Sequence, residues 1–258
     1  MKRLLQAYQC PDLAAARAVL RQWYRLPLGQ AWQAVEQDLL NQVLVDCFGY
    51  HLLQIGRPCD EDLCAGSRIH HRIAMVQAGD AVDGAVGLCA EGGELPLASG
   101  SVDVVVLPHT LSYAALPHAL LREVERVLIP EGYVVILGFN PWSLFGLRRL
   151  FAGWRGRSPW CGHFYSSLRL RDWLSLLGFD SLQLRHYFYR PPLASPALLQ
   201  RLGWLERWGG RCWPILGGGF MLVARKRVTT LTPIRPRWRS RRLIQVGSAE
   251  PTVRRNRT

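Results

Sequence analysis

Two short apolar runs with one helix between them constrain this chain more than any other feature. Val102–Leu107 (VDVVVL) and Tyr133–Leu137 (YVVIL) are rich in β-branched residues without a polar alternation, the pattern of strands buried on both faces. Between them Pro117 can open a helix, because the N–H it lacks would have no partner in a first turn. Leu120, Val124, Val127 and Leu128 recur on one helical face, and Pro130-Glu131-Gly132 is expected to stop that helix. Strand, helix and strand with short links predict a right-handed βαβ unit in a parallel sheet. Ligands of such sheets collect beyond the carboxyl ends of the strands. Those ends are Pro108-His109-Thr110 and Gly138-Phe139-Asn140.

The flanking sequence extends this unit in both directions. Residues 12–24 read as a helix with Asp12 at its N-cap. Pro27-Leu28-Gly29 is expected to break the chain before a longer helix, Gln30–Cys47, with Val35, Leu39, Val43 and Leu44 on one side. Tyr50–Ile55, Arg72–Val76 and Ala85–Cys89 read as strands, and the glycines between the last two leave little room for a helix. Downstream, Ser166 or Ser167 caps a helix that runs through Leu177 and ends at Gly178. A strand over Asp180–Phe188, a helix over Ala194–Trp208 and a strand over Phe220–Ala224 complete the reading.

The order and spacing of Glu91, Leu95-Pro96-Leu97, Ser101-Val102-Asp103, His109, Leu120–Leu128, Pro130-Glu131-Gly132 and Tyr133–Leu137 carry a resemblance across about fifty residues. The stretch is similar to the second half of a class I S-adenosylmethionine (SAM)-dependent methyltransferase, type 11 branch. The resemblance implies an α/β fold: a Rossmann-like seven-stranded sheet, helices on both faces, the last strand antiparallel. It also implies a layout: N-terminal helices over residues 1–47, a methyltransferase-like domain over 48–224, and within it an aromatic and basic lid insertion over 139–166.

The same resemblance assigns site residues. The family carries acid-x-Gly-x-Gly-x-Gly after its first strand; here Gln54-Ile55-Gly56-Arg57-Pro58-Cys59-Asp60 keeps only the first glycine, a degenerate form of the motif. The implied SAM contacts are Gln54 and Gly56 at the methionine end, Gln77 (with Asp80 a near alternative) at the ribose, and Glu91 and Gly92 at the adenine. His109 would lie beside the methyl-transfer point as a general base, as a further cofactor contact, or as a cap of the strand end. The run rich in Trp, Phe and Arg after the fifth strand, beginning with Phe139, Asn140 and Trp142, reads by its composition as a lid over an apolar substrate pocket, as a contact with a membrane interface, or as an extra helix packed on the sheet. The expected activity is SAM-dependent methyl transfer to a small, apolar acceptor. The alternatives are an inactive methyltransferase fold acting as a scaffold, and a nucleic-acid methyltransferase guided by a basic tail.

Charge distribution bears on the last alternative. The chain of 258 residues has a formal net charge of +13. Residues 225–258 hold 11 Arg/Lys and one acid, Glu250. The rest is near neutral, unlike an enzyme whose cleft binds nucleic acid. The tail is expected to be disordered, with nucleic acid or acidic lipid as candidate contacts. Seven cysteines without a Cys-x-x-Cys pair read as reduced thiols, with no zinc site and a cytoplasmic location. No signal peptide or membrane-spanning stretch is apparent.

Overall fold

A computed structural model describes residues 13–77, 88–90, 94–152, 162–192 and 201–228. Asp12, Asp80, Glu91, Gly92 and the tail beyond Val228 lie outside the described residues. Helix α1 (Leu13–Tyr24) leads directly into α2 (Pro27–Leu44). Pro27-Leu28-Gly29 therefore begins the second helix instead of breaking the chain. The proline sits in the first turn, where its missing N–H costs nothing. Gly29 is required there, since a Cβ would stand 2.2 Å from the Trp23 carbonyl oxygen.

Strands β1 (His51–Ile55), β2 (His71–Gln77), β3 (Leu88–Ala90), β4 (Val102–Pro108), β5 (Leu128–Phe139), β6 (Phe179–Tyr187) and β7 (Gly219–Lys226) form one sheet. Their order is β3-β2-β1-β4-β5-β7-β6. The first five run parallel, and β7 inserts antiparallel between β5 and β6. The seven-stranded architecture expected from the sequence is thus present. Strand β7 extends through Arg225 and Lys226, so the first two residues assigned to the tail belong to the sheet.

Strand parity divides the core in two. Leu52, Val104, Val106, Val135, Leu137, Met221 and Val223 face α1 and α2. Leu53, Ile55, Val105, Leu107, Val134, Ile136 and Leu222 face α3 (Pro117–Val127) and α5 (Ser167–Leu176). Helix α4 (Leu144–Ala152) follows β5, and α6 (Trp204–Cys212) precedes β7. Ser166 caps α5 by accepting the Arg169 N–H, and Gly178 ends that turn at φ +81°.

Pro130-Glu131-Gly132 does not separate helix from strand as expected. Helix α3 stops at Val127 and β5 begins at once with Leu128, which already pairs with Val102. The next paired residues are Val104 and Tyr133, so Pro130-Glu131-Gly132 forms a bulge inside β5, with Glu131 at φ +64°. Residues 56–70, between β1 and β2, contain turns and no helix. A parallel crossover usually carries one; here the turns bury Cys59, Leu63, Cys64 and Ile69 in the same core cluster as α2.

Candidate functional site

Strands β1 and β4 are neighbours, but the chain leaves them toward opposite sides of the sheet. Such a reversal opens a crevice at the carboxyl ends of the two strands. Here Gly56, Arg57 and Pro58 after β1 face Pro108, His109 and Thr110 after β4, with Leu20 of α1 and Tyr113 closing the sides. The cavity measures about 20 Å³, room for about one water.

His109 enters this crevice through an unusual backbone. Its φ is +55°, its N–H donates to the Leu137 carbonyl at 3.0 Å, and its carbonyl accepts the Ser112 N–H. The left-handed turn ends β4 and begins the single 3₁₀ turn Thr110–Tyr113. It also drives the imidazole inward, where it is 1 % exposed and stacks on Phe139 with ring centroids 4.1 Å apart.

Beneath it lies a buried carboxylate that sequence reasoning missed. Glu36 is fully buried and receives four donors. His109 Nε2 stands 2.6 Å from Oε1 and Trp32 Nε1 donates to the same oxygen at 2.7 Å. The Tyr24 hydroxyl donates to Oε2 at 2.9 Å, and the Tyr187 hydroxyl closes on Oε1. Burial, followed by the nearby Glu36 charge, pushes both tyrosine hydroxyls well above their ordinary pKa, so they stay protonated donors. A carboxylate only accepts, so the His109 proton is assigned to Nε2, which leaves Nδ1 as an acceptor. Among the described residues His109 Nδ1 has no hydrogen-bond partner.

A signal for Glu36 existed in the sequence. Leu28, Trp32, Glu36, Leu40 and Leu44 recur every fourth residue along α2, and all are buried. A single acid in the middle of an apolar stripe must be paired to be buried.

The residues expected to contact SAM are placed unevenly. Gly56 lies at the end of β1 with φ +89°, and a Cβ there would meet Thr110 Oγ1 at 2.7 Å. That position suits a close backbone approach. Gln54 does not suit its expected role. Its Nε2 donates to the Gly56 carbonyl at 2.9 Å and its Oε1 accepts the Cys64 thiol at 3.3 Å. Both polar atoms of that side chain thus already have a partner within the protein, which leaves one lone pair of Oε1 for a ligand ammonium. The Thr110 hydroxyl closes on the Ile55 carbonyl and narrows the same space. Gln77 ends β2, paired with Ala90, and its side chain lies outside the described residues.

The departures from the glycine-rich pattern have a structural explanation. Asp60 accepts both Arg25 Nε and Nη2, at 2.9 and 3.3 Å, and this hydrogen bonding holds its carboxyl below the usual range. Arg57 donates to the Asp60 carbonyl, and Arg21 donates to the Arg57 carbonyl at 3.3 Å. The loop is thereby clamped onto α1 and the corner after it.

The lid expectation also changes. Phe139 is fully buried between His109 and Phe164, and so belongs to the core. Asn140 is 2 % exposed and donates to the Ile215 and Gly217 carbonyls at 2.6 and 2.9 Å, which makes it a tie between loops. Of the three, only Trp142 is exposed. The physical reason is the pairing of β5 with β7 as far as Phe139–Gly219, which keeps the chain inside the sheet past the expected exit. A larger cleft of about 470 Å³ is lined by Gln54, Glu61, Asp62, His71 and Arg72. It follows the flank of β1 and β2 where no helix covers them, and reaches the carboxyl end of β1 at Arg57, which also lines the crevice.

Comparison with known proteins bears on the whole arrangement. The family described as "Methyltransferase domain" matches residues 66–136. The uncharacterized protein YafS of Escherichia coli (strain K12) is 36 % identical over 214 residues, covering 81 % of this chain and 82 % of that protein. A malonyl-[acyl-carrier protein] O-methyltransferase from Laribacter hongkongensis (strain HLHK9) is 41 % identical over 66 residues, 26 % of this chain and 22 % of that protein. In fold, the chain is similar to a SAM-dependent methyltransferase from Thermotoga maritima (TM-score 0.56, 15 % identity, covering 80 % of this chain and 93 % of that one). It is also similar to one from Archaeoglobus fulgidus (TM-score 0.51, 18 % identity, covering 75 % and 94 %).

Proposed function

The chain belongs to the class I SAM-dependent methyltransferases, type 11 branch, and on that premise we propose that it methylates a small, apolar acceptor at the crevice between β1 and β4. SAM would be held with Gly56 against its methionine end, Gln77 at the ribose hydroxyls, and Glu91 and Gly92 at the adenine. Bound SAM supplies a methyl group already activated by its sulfonium, so the protein contributes chiefly alignment.

The observation that carries the reading is His109. Glu36 holds its Nε2 at 2.6 Å, while Nδ1 has no partner among the described residues and the residue lines the crevice. An imidazole oriented through one nitrogen can accept a proton from the acceptor at the other. Leu20, Pro58, Pro108 and Tyr113 give part of the crevice an apolar wall, which favours an apolar acceptor there, while Arg17, Arg21 and Arg57 line the rest.

The crevice of about 20 Å³ must widen for any cofactor, so the loop over residues 57–60 has to part from α1. Binding should also be weak. Gln54 is committed within the protein, and Gln77 offers an amide where the family has a carboxylate. Exchanging charged for neutral acceptors weakens binding by about ten- to a hundredfold. Calorimetry of SAM against the purified chain tests this. Weak binding that tightens in Gln77→Glu and fades in Glu91→Ala is expected. Failure of both the wild type and Gln77→Glu to bind at millimolar SAM would overturn the proposal and leave a methyltransferase fold serving as a binding module.

A further inference from the structure

We infer that the end of the sheet formed by the β5–α4 loop, α6 and the α6–β7 loop is a docking surface for anionic membrane lipid. Independently of methyl transfer, the argument begins with exposed tryptophans. Trp142, Trp204, Trp208 and Trp213 are 50–71 % exposed, with Ile215 and Leu216 beside Trp213 exposed as well. A folded chain rarely leaves this much aromatic surface in one region without a partner.

The presentation is built rather than incidental. The Asn140 side chain binds the carbonyls of Ile215 and Gly217, and its N–H donates to Gly218, so the two loops form one unit. Helix α6 is fixed in rotation. Gly209 lies against the Tyr189 ring, where a Cβ would come within 2.3 Å, and Glu206 accepts the Tyr189 N–H. Trp204 and Trp208, one turn apart, are thereby held facing outward.

The charge around them points to the partner. Residues 140–152, 188–192 and 201–218 contain Arg148, Arg149, Arg190, Arg201, Arg207 and Arg211 against one acid, Glu206. That acid is paired with Arg190 at 3.4 Å. The neutral polar side chains of the two tied segments, Asn140 and Ser143, are both buried and bonded internally. Arg148 is bonded to the Pro192 carbonyl and Arg149 stacks on Phe164, while Arg201 and Arg211 are exposed. Among the described residues the surface therefore offers indole and aliphatic groups and the guanidinium groups of Arg201 and Arg211. Indoles settle at the headgroup level of a bilayer, and guanidinium binds lipid phosphate bidentately. No described helix is long and apolar enough to cross a membrane, so the association is interfacial.

Flotation of the full chain with phosphatidylcholine/phosphatidylglycerol vesicles, against phosphatidylcholine alone, tests the inference. Binding to the anionic vesicles is expected, with a blue shift of tryptophan emission. Trp204→Ala/Trp208→Ala should weaken it by at least about tenfold while thermal unfolding is unchanged. The basic tail is intact in that variant, so unchanged binding would assign the lipid contact to the tail and overturn the proposal. Absence of vesicle binding would overturn it too. So would a self-association in solution that the double variant abolishes, since the surface would then be an interface between copies of the chain.

Discussion

His109 Nε2 and Glu36 Oε1 lie 2.6 Å apart, both fully buried, with 73 positions of sequence between them. One comes from the carboxyl end of β4 and the other from the third turn of α2. Their contact joins the N-terminal helices to the crevice where the sheet reverses. Tyr187, 151 positions from Glu36, brings in the end of β6 as well. Three distant parts of the chain thus converge on one carboxylate.

Glu36→Ala should be among the most damaging substitutions in the chain. It removes the only acceptor shared by four buried donors, and breaking a buried pair costs about 3–5 kcal/mol. Glu36→Gln keeps the shape but turns an NH₂ toward donors, and should cost about 1–3 kcal/mol. Urea unfolding measures both. A loss below about 1 kcal/mol for the alanine would mean that the network is not formed in solution.

Trp32 and Trp142 should respond oppositely to truncation. Trp32 is fully buried, packed on Phe139, Phe145, Tyr187 and Phe188, so Trp32→Ala should destabilise by about 3–5 kcal/mol. Trp142 is 71 % exposed, and Trp142→Ala should stay within about 0.5 kcal/mol of wild type. Calorimetric melting of the two variants decides it. A large loss at Trp142 would place that indole in the interior.

Gly29→Ala tests the corner between α1 and α2. The added methyl would meet Trp23 backbone, which cannot move aside like a side chain. Overpacking of this kind costs about 1–3 kcal/mol or more. Because the corner positions Tyr24 over Glu36, the variant should also alter near-ultraviolet circular dichroism. A variant as stable as wild type would show that the helices meet less closely.

The cysteines should separate by reactivity. Burial pushes the Cys59 and Cys64 thiols up to about 12 and Cys47 up to about 11. Cys212 is exposed. A thiol reacts as its thiolate, so at mildly alkaline pH a maleimide should modify Cys212 in the folded protein well before the three buried sites. A raised thiol pKa works against the folded state in alkali, because unfolded thiols ionise where the buried ones cannot. Stability is therefore lost as pH rises above the unfolded thiol value, and the loss levels off above the folded one. Mass mapping before and after denaturation reads the order. Early labelling of Cys59 or Cys64 would mean that the loop after β1 opens readily.

Much of this fold was legible in the sequence because its cues are local. Unbroken apolar runs mark Val102–Leu107 and Tyr133–Leu137, and helical spacing marks Leu120–Val127, without reference to anything distant. Gly178 and Ser166 announce the limits of α5 in the same way. The βαβ order then leaves few topologies, and the seven-stranded sheet is the one that formed. Local cues misled where a residue type has two uses. Pro27 can stop a chain or start a helix, and the packing of Gly29 on Trp23 chose the second.

The tertiary structure alone decided which polar side chains are free. Gln54 looked available because its neighbours along the chain leave it so; Cys64, ten residues on, accepts no such role and donates its thiol to it instead. Asp60 looked like a lost glycine and is the anchor of Arg25. Glu36, which the sequence reading passed over, gathers Tyr24, Trp32, His109 and Tyr187. Chain periodicity reports which face of an element is apolar, since that depends on spacing within the element. It says nothing about which donor meets which acceptor, because hydrogen-bond partners are chosen by distances of a few ångströms between elements far apart in sequence.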